Sequence, residues 1–121
     1  MKPGRTGLSR IAYASLYSIQ GLRAAFKYEA AFRQELFLGA LMLPAAIYFA
    51  ESGLELAVLL GSLFLVLITE LLNSGLEAIV DRVGHDHHEL SGRAKDLGSA
   101  AVTVSLINVL VIWGIIFIPR I

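Results

Sequence analysis

Apolar residues dominate three long stretches of the chain, and polar residues collect before the first stretch and between the others. The stretches cover about residues 30–50, 54–81 and 99–118. The third is long enough to span a bilayer by itself, and Pro44 within the first is tolerable where neighbouring helices satisfy the freed backbone groups. The pattern therefore predicts three transmembrane helices.

The segment before these stretches, residues 9–28, has the alternation of apolar and polar positions that is typical of a helix. Apolar residues such as Leu16 and Leu22 fall on one face, and Ser9 is a candidate N-cap. A basic helix with one apolar face is typical of a helix on the membrane surface, and an amphipathic core helix is the alternative. Residues 1–8 are expected to form a loose tail.

The composition supports a membrane protein. The chain has 121 residues, of which 56% are hydrophobic and 17% are charged, and soluble domains of this size are seldom so apolar. It has no cysteine, which excludes disulfides and thiolate chemistry. The net charge is zero, and we expect no nucleic-acid partner. We predict an all-α integral membrane protein that forms one domain over residues 1–121.

The distribution of basic residues predicts the orientation of the helices. The N-terminal segment is strongly basic and the loop after the second stretch carries Arg82, Arg93 and Lys95, whereas residues 51–55 contain no basic side chain. Because loops rich in lysine and arginine stay in the cytoplasm, we expect a cytoplasmic N-terminus and a C-terminus outside. Arg120 argues weakly for the opposite orientation.

Polar residues three or four positions apart occupy the end of the second apolar stretch. Glu70, Asn73, Glu77 and Asp81 lie on one stripe of a helix, and three acids on one stripe repel one another unless a cation or a proton relieves them. A helix over residues 54–81 is about 42 Å long, whereas the hydrocarbon core is about 30 Å thick. Glu70 is therefore expected inside the membrane near its inner face, and Glu77 at or beyond the headgroups.

This stripe offers candidates for acid–base and metal chemistry. Loss of hydration near hydrocarbon makes Glu70 a candidate base for a lipid hydroxyl, and a structural carboxylate bonded to a neighbouring helix is the alternative. Glu77 together with Glu29 would suit Mg²⁺, which takes one or two carboxylates plus phosphate oxygens; a solvated charge at a helix end is the alternative for Glu29. Asn73 could hold a carboxylate or a phosphate oxygen.

Two further groups of residues are candidates for nucleotide or metal binding. Lys95 could neutralise phosphate charge and Asp96 could orient it, with interfacial anchoring of a helix end as the alternative. Residues 85–88 contain three histidines and an aspartate, but zinc sites need better-spaced ligands, so a solvated loop is favoured. The chain lacks a phosphate-binding glycine loop and the motifs of protein kinases. Any nucleotide must therefore be held by an unusual site.

The acidic stripe resembles the signature of the prokaryotic diacylglycerol kinase family, E-x-[LIVM]-N-[ST]-[SA]-[LIV]-E-x-x-V-D. The matching residues are Glu70, Leu72, Asn73, Ser74, Leu76, Glu77, Val80 and Asp81. Gly75 stands where the family usually has alanine or serine. Segments 21–25, 29–35 and 89–101 also resemble the family, so the resemblance covers the whole chain.

The resemblance implies a homotrimer of three-span protomers, each with an N-terminal surface helix, in the bacterial inner membrane. It implies transfer of the γ-phosphate of ATP, with Mg²⁺, to the primary hydroxyl of diacylglycerol, which gives phosphatidic acid at the inner face. In this family, active sites are shared between protomers. The site residues need not converge within one chain.

The resemblance also assigns roles to individual residues. Glu70 is the base, and Glu29 and Glu77 hold the metal. The residues around the nucleotide are Arg10, Tyr17, Glu29, Asn73, Glu77, Asp86, His87, His88, Lys95 and Asp96. The residues that contact the lipid substrate are Arg10, Ala14, Ser15, Leu16, Tyr17, Ser18, Ile19, Arg23, Ala31, Phe32, Arg33, Gln34, Glu35, Tyr48, Phe49, Ala50, Glu51, Glu55, Glu70, Ser99 and Trp113.

Three other functions compete with this interpretation. Undecaprenol kinase has the same chemistry with a polyprenol acceptor, and the shared motif does not distinguish it. A small oligomeric transporter would use Glu70 as a proton-coupled carboxylate and would not need Glu29 and Glu77. A pore-forming structural protein would not depend on ATP. The continuation of the stripe into the cytosol argues against the last two.

Overall fold

The structure, a computed structural model, describes residues 6–121, which form helices joined by short connections. The elements are α1 (Gly7–Tyr28), α2 (Ala30–Phe49), α3 (Gly53–Val83), α4 (Glu89–Phe117) and a 3₁₀ turn (Ile118–Arg120). By length and composition, α2, α3 and α4 with the turn that follows it could each cross a membrane. No strand occurs in the described part of the chain. The predicted all-α fold with three candidate spans is confirmed.

The first helix begins earlier than its apolar pattern predicts. Gly7 opens α1 with a φ angle of 63°, in the left-handed region that is readily accessible only to glycine. Thr6 is the N-cap residue and makes no side-chain cap bond. The prediction that Ser9 caps the helix is therefore wrong, and Leu8 is helical rather than part of a tail. The rest of the predicted tail, residues 1–5, lies outside the described residues.

The third and fourth helices both extend beyond the predicted spans. α3 continues two residues past the predicted end, to Val83, and α4 begins at Glu89, ten residues before the predicted start. The connection is limited to residues 84–88, and His88 caps α4 because its Nδ1 atom accepts a hydrogen bond of 3.0 Å from the Leu90 N–H. Hydropathy thus predicts the extent of the apolar segment and not the ends of the helix. The helices continue through charged residues such as Glu89, Arg93 and Lys95, which are good helix formers.

The short connection changes the position of several residues that we expected outside the helices. Arg82, Arg93 and Lys95 were predicted in a loop, but all three are helical. Lys95 and Asp96, predicted at the start of the third span, lie in the second turn of α4. Their side chains are therefore held on a defined helix face.

The central element is α3, which packs along α4 and also against α2. Its buried residues are Leu59, Ser62, Val66, Glu70 and Asn73, spaced three or four apart. The acidic stripe is therefore the continuation of the face by which α3 packs on its neighbours. This arrangement buries the first two polar residues of the motif and leaves the later ones closer to the helix end.

The junction between α1 and α2 is fixed by an arginine. Glu29 stands between the two helices with extended backbone angles, and its N–H donates to the Ala25 carbonyl at 2.9 Å. The Arg33 guanidinium donates to the carbonyl oxygens of Phe26 at 2.7 Å and Lys27 at 3.1 Å. These carbonyls lie in the last turn of α1, where a cation is favourable. Arg33, predicted as a lipid contact, thus ties the end of α1 to the start of α2.

Candidate functional site

The buried end of the site is a pair of carboxyl groups between α2 and α3. Glu70 is only 5% exposed, and it is a close neighbour of Glu35 on α2. The Oε2 atom of each is buried and has no hydrogen-bond partner among residues 6–121. Two neighbouring carboxyl groups with unpartnered oxygens leave room for a hydrogen-bond donor from outside the pair. The sequence placed Glu35 among the lipid contacts but gave no sign of this pairing, because helical spacing does not reveal which residues of two helices meet.

One turn further along α3, Asn73 orients Glu77. The Asn73 Nδ2 atom donates a hydrogen bond of 2.9 Å to Oε1 of Glu77. The Asn73 side chain is buried, and its Oδ1 atom has no hydrogen-bond partner in the described chain. The sequence predicted that Asn73 could hold a carboxylate, and the structure places its amide on Glu77.

A cavity of about 810 Å³ lies between α1 and α3. The carboxylates of Glu29, Glu77 and Asp81 line it, together with Ser18 and Ser74. The proposed metal ligands thus share one cavity, although Glu29 lies at the α1–α2 junction and Glu77 on α3. Two carboxylates with room for water and phosphate oxygens suit Mg²⁺, which seldom takes a full shell of protein ligands.

The pair is not part of a larger metal-binding group in the described chain. Within residues 6–121, no set of three or more histidine, aspartate or glutamate side chains is arranged to hold a metal ion. The expected Glu29–Glu77 site therefore relies on the two carboxylates and on ligands that a nucleotide would bring. Its occupation by Mg²⁺ stays a prediction.

An ion pair joins the ends of α3 and α4 beside the cavity. The Lys95 Nζ atom lies 2.7 Å from Oδ1 of Asp81, and the two side chains are 44% and 48% exposed. Because exposed ion pairs contribute little to stability, Lys95 could leave Asp81 for a phosphate group at small cost. Asp96 follows it on α4 and is exposed.

The other predicted nucleotide residues do not line the α1–α3 cavity. Arg10 and Tyr17 lie on α1, and Asp86 and His87 lie in the exposed connection between α3 and α4. His88 uses its ring nitrogen to cap α4. Their contacts with a nucleotide stay predictions.

The predicted lipid contacts fall into two groups at opposite ends of the helices. The group at the end nearer Glu70 comprises Ala31, Phe32, Arg33, Gln34, Glu35, Glu70 and Ser99, and the preceding helix α1 carries Arg10, Ala14, Ser15, Leu16, Tyr17, Ser18, Ile19 and Arg23. The group at the other end comprises Tyr48, Phe49, Ala50, Glu51, Glu55 and Trp113. On α3, Glu55 and Glu70 are about 22 Å apart along the axis. One chain therefore does not bring all predicted lipid contacts together.

Several residues of the distal group already have partners within the chain. Arg120 donates to both carboxylate oxygens of Glu55 at 2.7 Å and lies 3.2 Å from Glu51. Trp113 Nε1 donates to Ser62 Oγ at 3.0 Å. This end thus contains a structural connection between α3, α4 and the C-terminal turn, which the sequence analysis did not predict.

An apolar groove leads to the carboxyl pair. It has a volume of about 530 Å³ and is lined by side chains of α2, α3 and α4, among them Leu36, Leu67 and Leu110. Glu35 is the one charged residue among the described residues that line it. An apolar chain in this groove would have its polar end beside Glu35 and hence close to Glu70.

Comparison with known proteins connects this site to a family. The family model for prokaryotic diacylglycerol kinase matches residues 16–117. The diacylglycerol kinase of Escherichia coli K12 is 47% identical over 116 residues, covering 96% of this chain and 95% of that protein. The diacylglycerol kinase of Haemophilus influenzae is 47% identical over 109 residues, with 90% and 92% coverage. The diacylglycerol kinase of Pseudomonas aeruginosa PAO1 is 47% identical over 115 residues, with 95% and 94% coverage.

Proposed function

The chain belongs to the prokaryotic diacylglycerol kinase family, and we propose that it transfers the γ-phosphate of ATP to the primary hydroxyl of diacylglycerol. Membership confirms the resemblance that the acidic stripe suggested. The reaction, its metal and the residue roles are our proposal for this chain.

The observation that carries the proposal is the separation of two polar sites along one face of α3. Glu70 is buried beside Glu35, at the polar end of an apolar groove. Glu77 lies two turns further on and lines a more polar cavity with Glu29. Since these positions are about 10 Å apart along the helix axis, a lipid hydroxyl and a nucleotide could approach the same stripe from hydrocarbon and from water.

In this proposal, Glu70 acts as the general base. Its unpaired Oε2 atom accepts the proton of the primary hydroxyl, and the hydroxyl oxygen attacks the γ-phosphorus. The bond from phosphorus to the β–γ bridging oxygen breaks, and ADP leaves. Such transfers require positioning and neutralisation of charge more than covalent catalysis.

The remaining residues of the stripe hold and orient the phosphates. Glu29 and Glu77 would bind Mg²⁺, which supplies charge neutralisation on the phosphate oxygens. Asn73 fixes one carboxylate oxygen of Glu77 by its hydrogen bond of 2.9 Å. Lys95 exchanges Asp81 for a phosphate oxygen when nucleotide binds.

We further propose a homotrimer in the bacterial inner membrane, with the N-terminus cytoplasmic. The three candidate spans expose most of their apolar side chains, which lipid or neighbouring protomers would cover. The distance between the two groups of predicted lipid contacts supports a site completed by a second protomer.

Undecaprenol is the second candidate acceptor, because the same base and metal ligands would act on any membrane-embedded primary alcohol. A proton-coupled transporter accounts for Glu70 alone and gives no role to the cavity that contains Glu29 and Glu77. We therefore favour a kinase over a transporter.

Steady-state kinetics in mixed micelles test the proposal. Purified protein would receive ATP, Mg²⁺ and either diacylglycerol, undecaprenol or no lipid, and phosphate transferred to lipid would be measured with and without EDTA. We expect chelator-sensitive transfer with the highest kcat/KM for diacylglycerol. A higher kcat/KM for undecaprenol would identify undecaprenol as the acceptor instead of diacylglycerol. No transfer to either lipid would refute a kinase function.

A further inference from the structure

At Gly98, α4 lies directly against the Asn73 side chain of the motif helix. This glycine is buried in the interface with α3. A Cβ atom added at position 98 would overlap the Oδ1 atom of Asn73 and lie 3.1 Å from its Cγ. With Asn73 in this position, the two helices leave no room here for a side chain at residue 98, a close approach that small residues permit in membrane helix pairs.

The contact determines how the Asn73 amide is oriented. With Oδ1 against Gly98, the other end of the amide, Nδ2, points to Glu77 and donates the hydrogen bond of 2.9 Å. A methyl group at position 98 would displace Oδ1 and rotate the amide, because the added Cβ is backbone-fixed and cannot move away. The Nδ2–Glu77 bond would then be strained or lost.

We propose that Gly98 is a positioning residue for Glu77, the proposed metal-binding carboxylate, and that it acts through Asn73. This inference rests on the proposed function, since it assumes that Glu77 holds a metal with the nucleotide. Residues that orient metal ligands commonly change metal affinity by about 10- to 100-fold when altered. Gly98 therefore affects metal use without contacting metal, nucleotide or lipid.

Other glycines provide a matched control. A Cβ at Gly92, also on α4, would meet no atom within 4 Å in the described chain. Because alanine is a better helix former than glycine, Gly92→Ala should be at least as stable as the parent protein. Any loss on Gly98→Ala therefore reports the local contact and not helix propensity.

The partner of Gly98 can be removed as well. In Asn73→Ala, the atoms that would clash with a Cβ at position 98 are absent, and the remaining Asn73 Cβ position is 3.8 Å away, an ordinary contact. If Gly98 acts through Asn73, adding Gly98→Ala to Asn73→Ala should change little. Such a double-mutant cycle isolates the coupling between two residues.

The experiment combines two measurements on the parent protein, Gly92→Ala, Gly98→Ala, Asn73→Ala and the double variant Asn73→Ala/Gly98→Ala. The first is the SDS unfolding midpoint in mixed micelles without nucleotide or metal. The second is the Mg²⁺ concentration for half-maximal transfer, together with the KM for diacylglycerol. Loss of folded protein alone would lower kcat and leave both concentrations unchanged.

We expect Gly98→Ala to raise the half-maximal Mg²⁺ concentration about tenfold or more with an unchanged KM for diacylglycerol. Gly92→Ala should match the parent, and the double variant should match Asn73→Ala in both measurements. If Gly98→Ala fails to fold, recovery of folding in the double variant supports the coupling.

Two results would overturn the proposal: a Gly98→Ala variant with the Mg²⁺ dependence of Gly92→Ala, or an equal effect of Gly98→Ala with and without Asn73. Absence of transfer in the parent protein and in Gly92→Ala would refute the proposed function instead. In that case, the unfolding midpoints alone would decide whether Gly98 acts through Asn73, since additive effects on the midpoint would overturn the coupling.

Discussion

Replacement of Glu70 by glutamine removes the proposed base while keeping the shape of the side chain. Glu70 is 5% exposed, and its Oε2 atom has no hydrogen-bond partner among residues 6–121. The change therefore breaks no oriented hydrogen bond to that oxygen. The amide can also donate to the neighbouring carboxylate of Glu35. We expect Glu70→Gln to fold and to assemble like the parent protein.

The expected loss is in the chemical step. A positioned general base contributes about 10²- to 10⁴-fold to rate, which corresponds to about 3–5 kcal/mol of activation free energy at 1.36 kcal/mol per tenfold. The KM for ATP should remain unchanged, because the cavity lined by Glu29 and Glu77 does not include Glu70. A fall in kcat with constant KM for ATP is thus the predicted signature.

Glu35→Gln is the matched control, because it makes the same chemical change on the other side of the pair. The assay follows phosphate transfer to diacylglycerol in micelles under saturating ATP, with SDS unfolding midpoints as a test of folding. We expect Glu35→Gln to retain at least about tenfold more activity than Glu70→Gln, because loss of the Glu35 carboxylate leaves the proposed base, Glu70, in place. Equal losses in both variants, or a Glu70→Gln kcat within tenfold of the parent, would refute the assignment of the base.

Three further predictions follow from the contacts around the site. Glu77→Gln should raise the Mg²⁺ requirement about 10-fold or more; an unchanged titration with Mg²⁺ would argue against a metal ligand there. Lys95→Met should raise the KM for ATP about tenfold, the loss expected for one charge-assisted hydrogen bond, whereas Asp81→Asn should not; equal KM values in the two variants would contradict a phosphate role for Lys95. Trp113→Phe removes the 3.0 Å hydrogen bond to Ser62 and should lower the free energy of unfolding by about 0.6–1.7 kcal/mol; SDS unfolding measures it, and the same loss in a Ser62→Ala background would show that the bond contributes nothing.

The fold was largely predictable from the length of the apolar stretches. The three apolar stretches identified α2, α3 and α4, because membrane helices require long apolar segments. The helix ends were less predictable. Glu89 and Lys95 are polar, so hydropathy places the start of the third span at about residue 99, although α4 already begins at Glu89.

Within the site, spacing along one helix was informative and contacts between helices were not. The stripe from Glu70 to Asp81 was visible in the sequence, and the Asn73–Glu77 bond follows from their spacing of four. The Glu35–Glu70 pair and the Gly98–Asn73 contact depend on how α2 and α4 pack against α3. Helical periodicity gives the face of each helix but not the register between two helices.

The C-terminal end shows the same limitation. Arg120 entered the sequence analysis only as a weak argument about orientation, yet its guanidinium binds Glu55 in a bidentate geometry. The partners are 65 residues apart in the chain, so no local pattern could indicate the pair. Glu55 and Glu51 were instead assigned to the lipid through the family resemblance.

A competition for labelled phosphate in one membrane tests the central claim most directly. Protein in vesicles that contain equal amounts of diacylglycerol and undecaprenol would receive Mg²⁺ and ATP labelled in the γ-phosphate, and the labelled products would be separated. We predict that the label appears chiefly in phosphatidic acid and that Glu70→Gln vesicles show almost none. Label chiefly in undecaprenyl phosphate, or label released as free phosphate without any labelled lipid, would contradict the account.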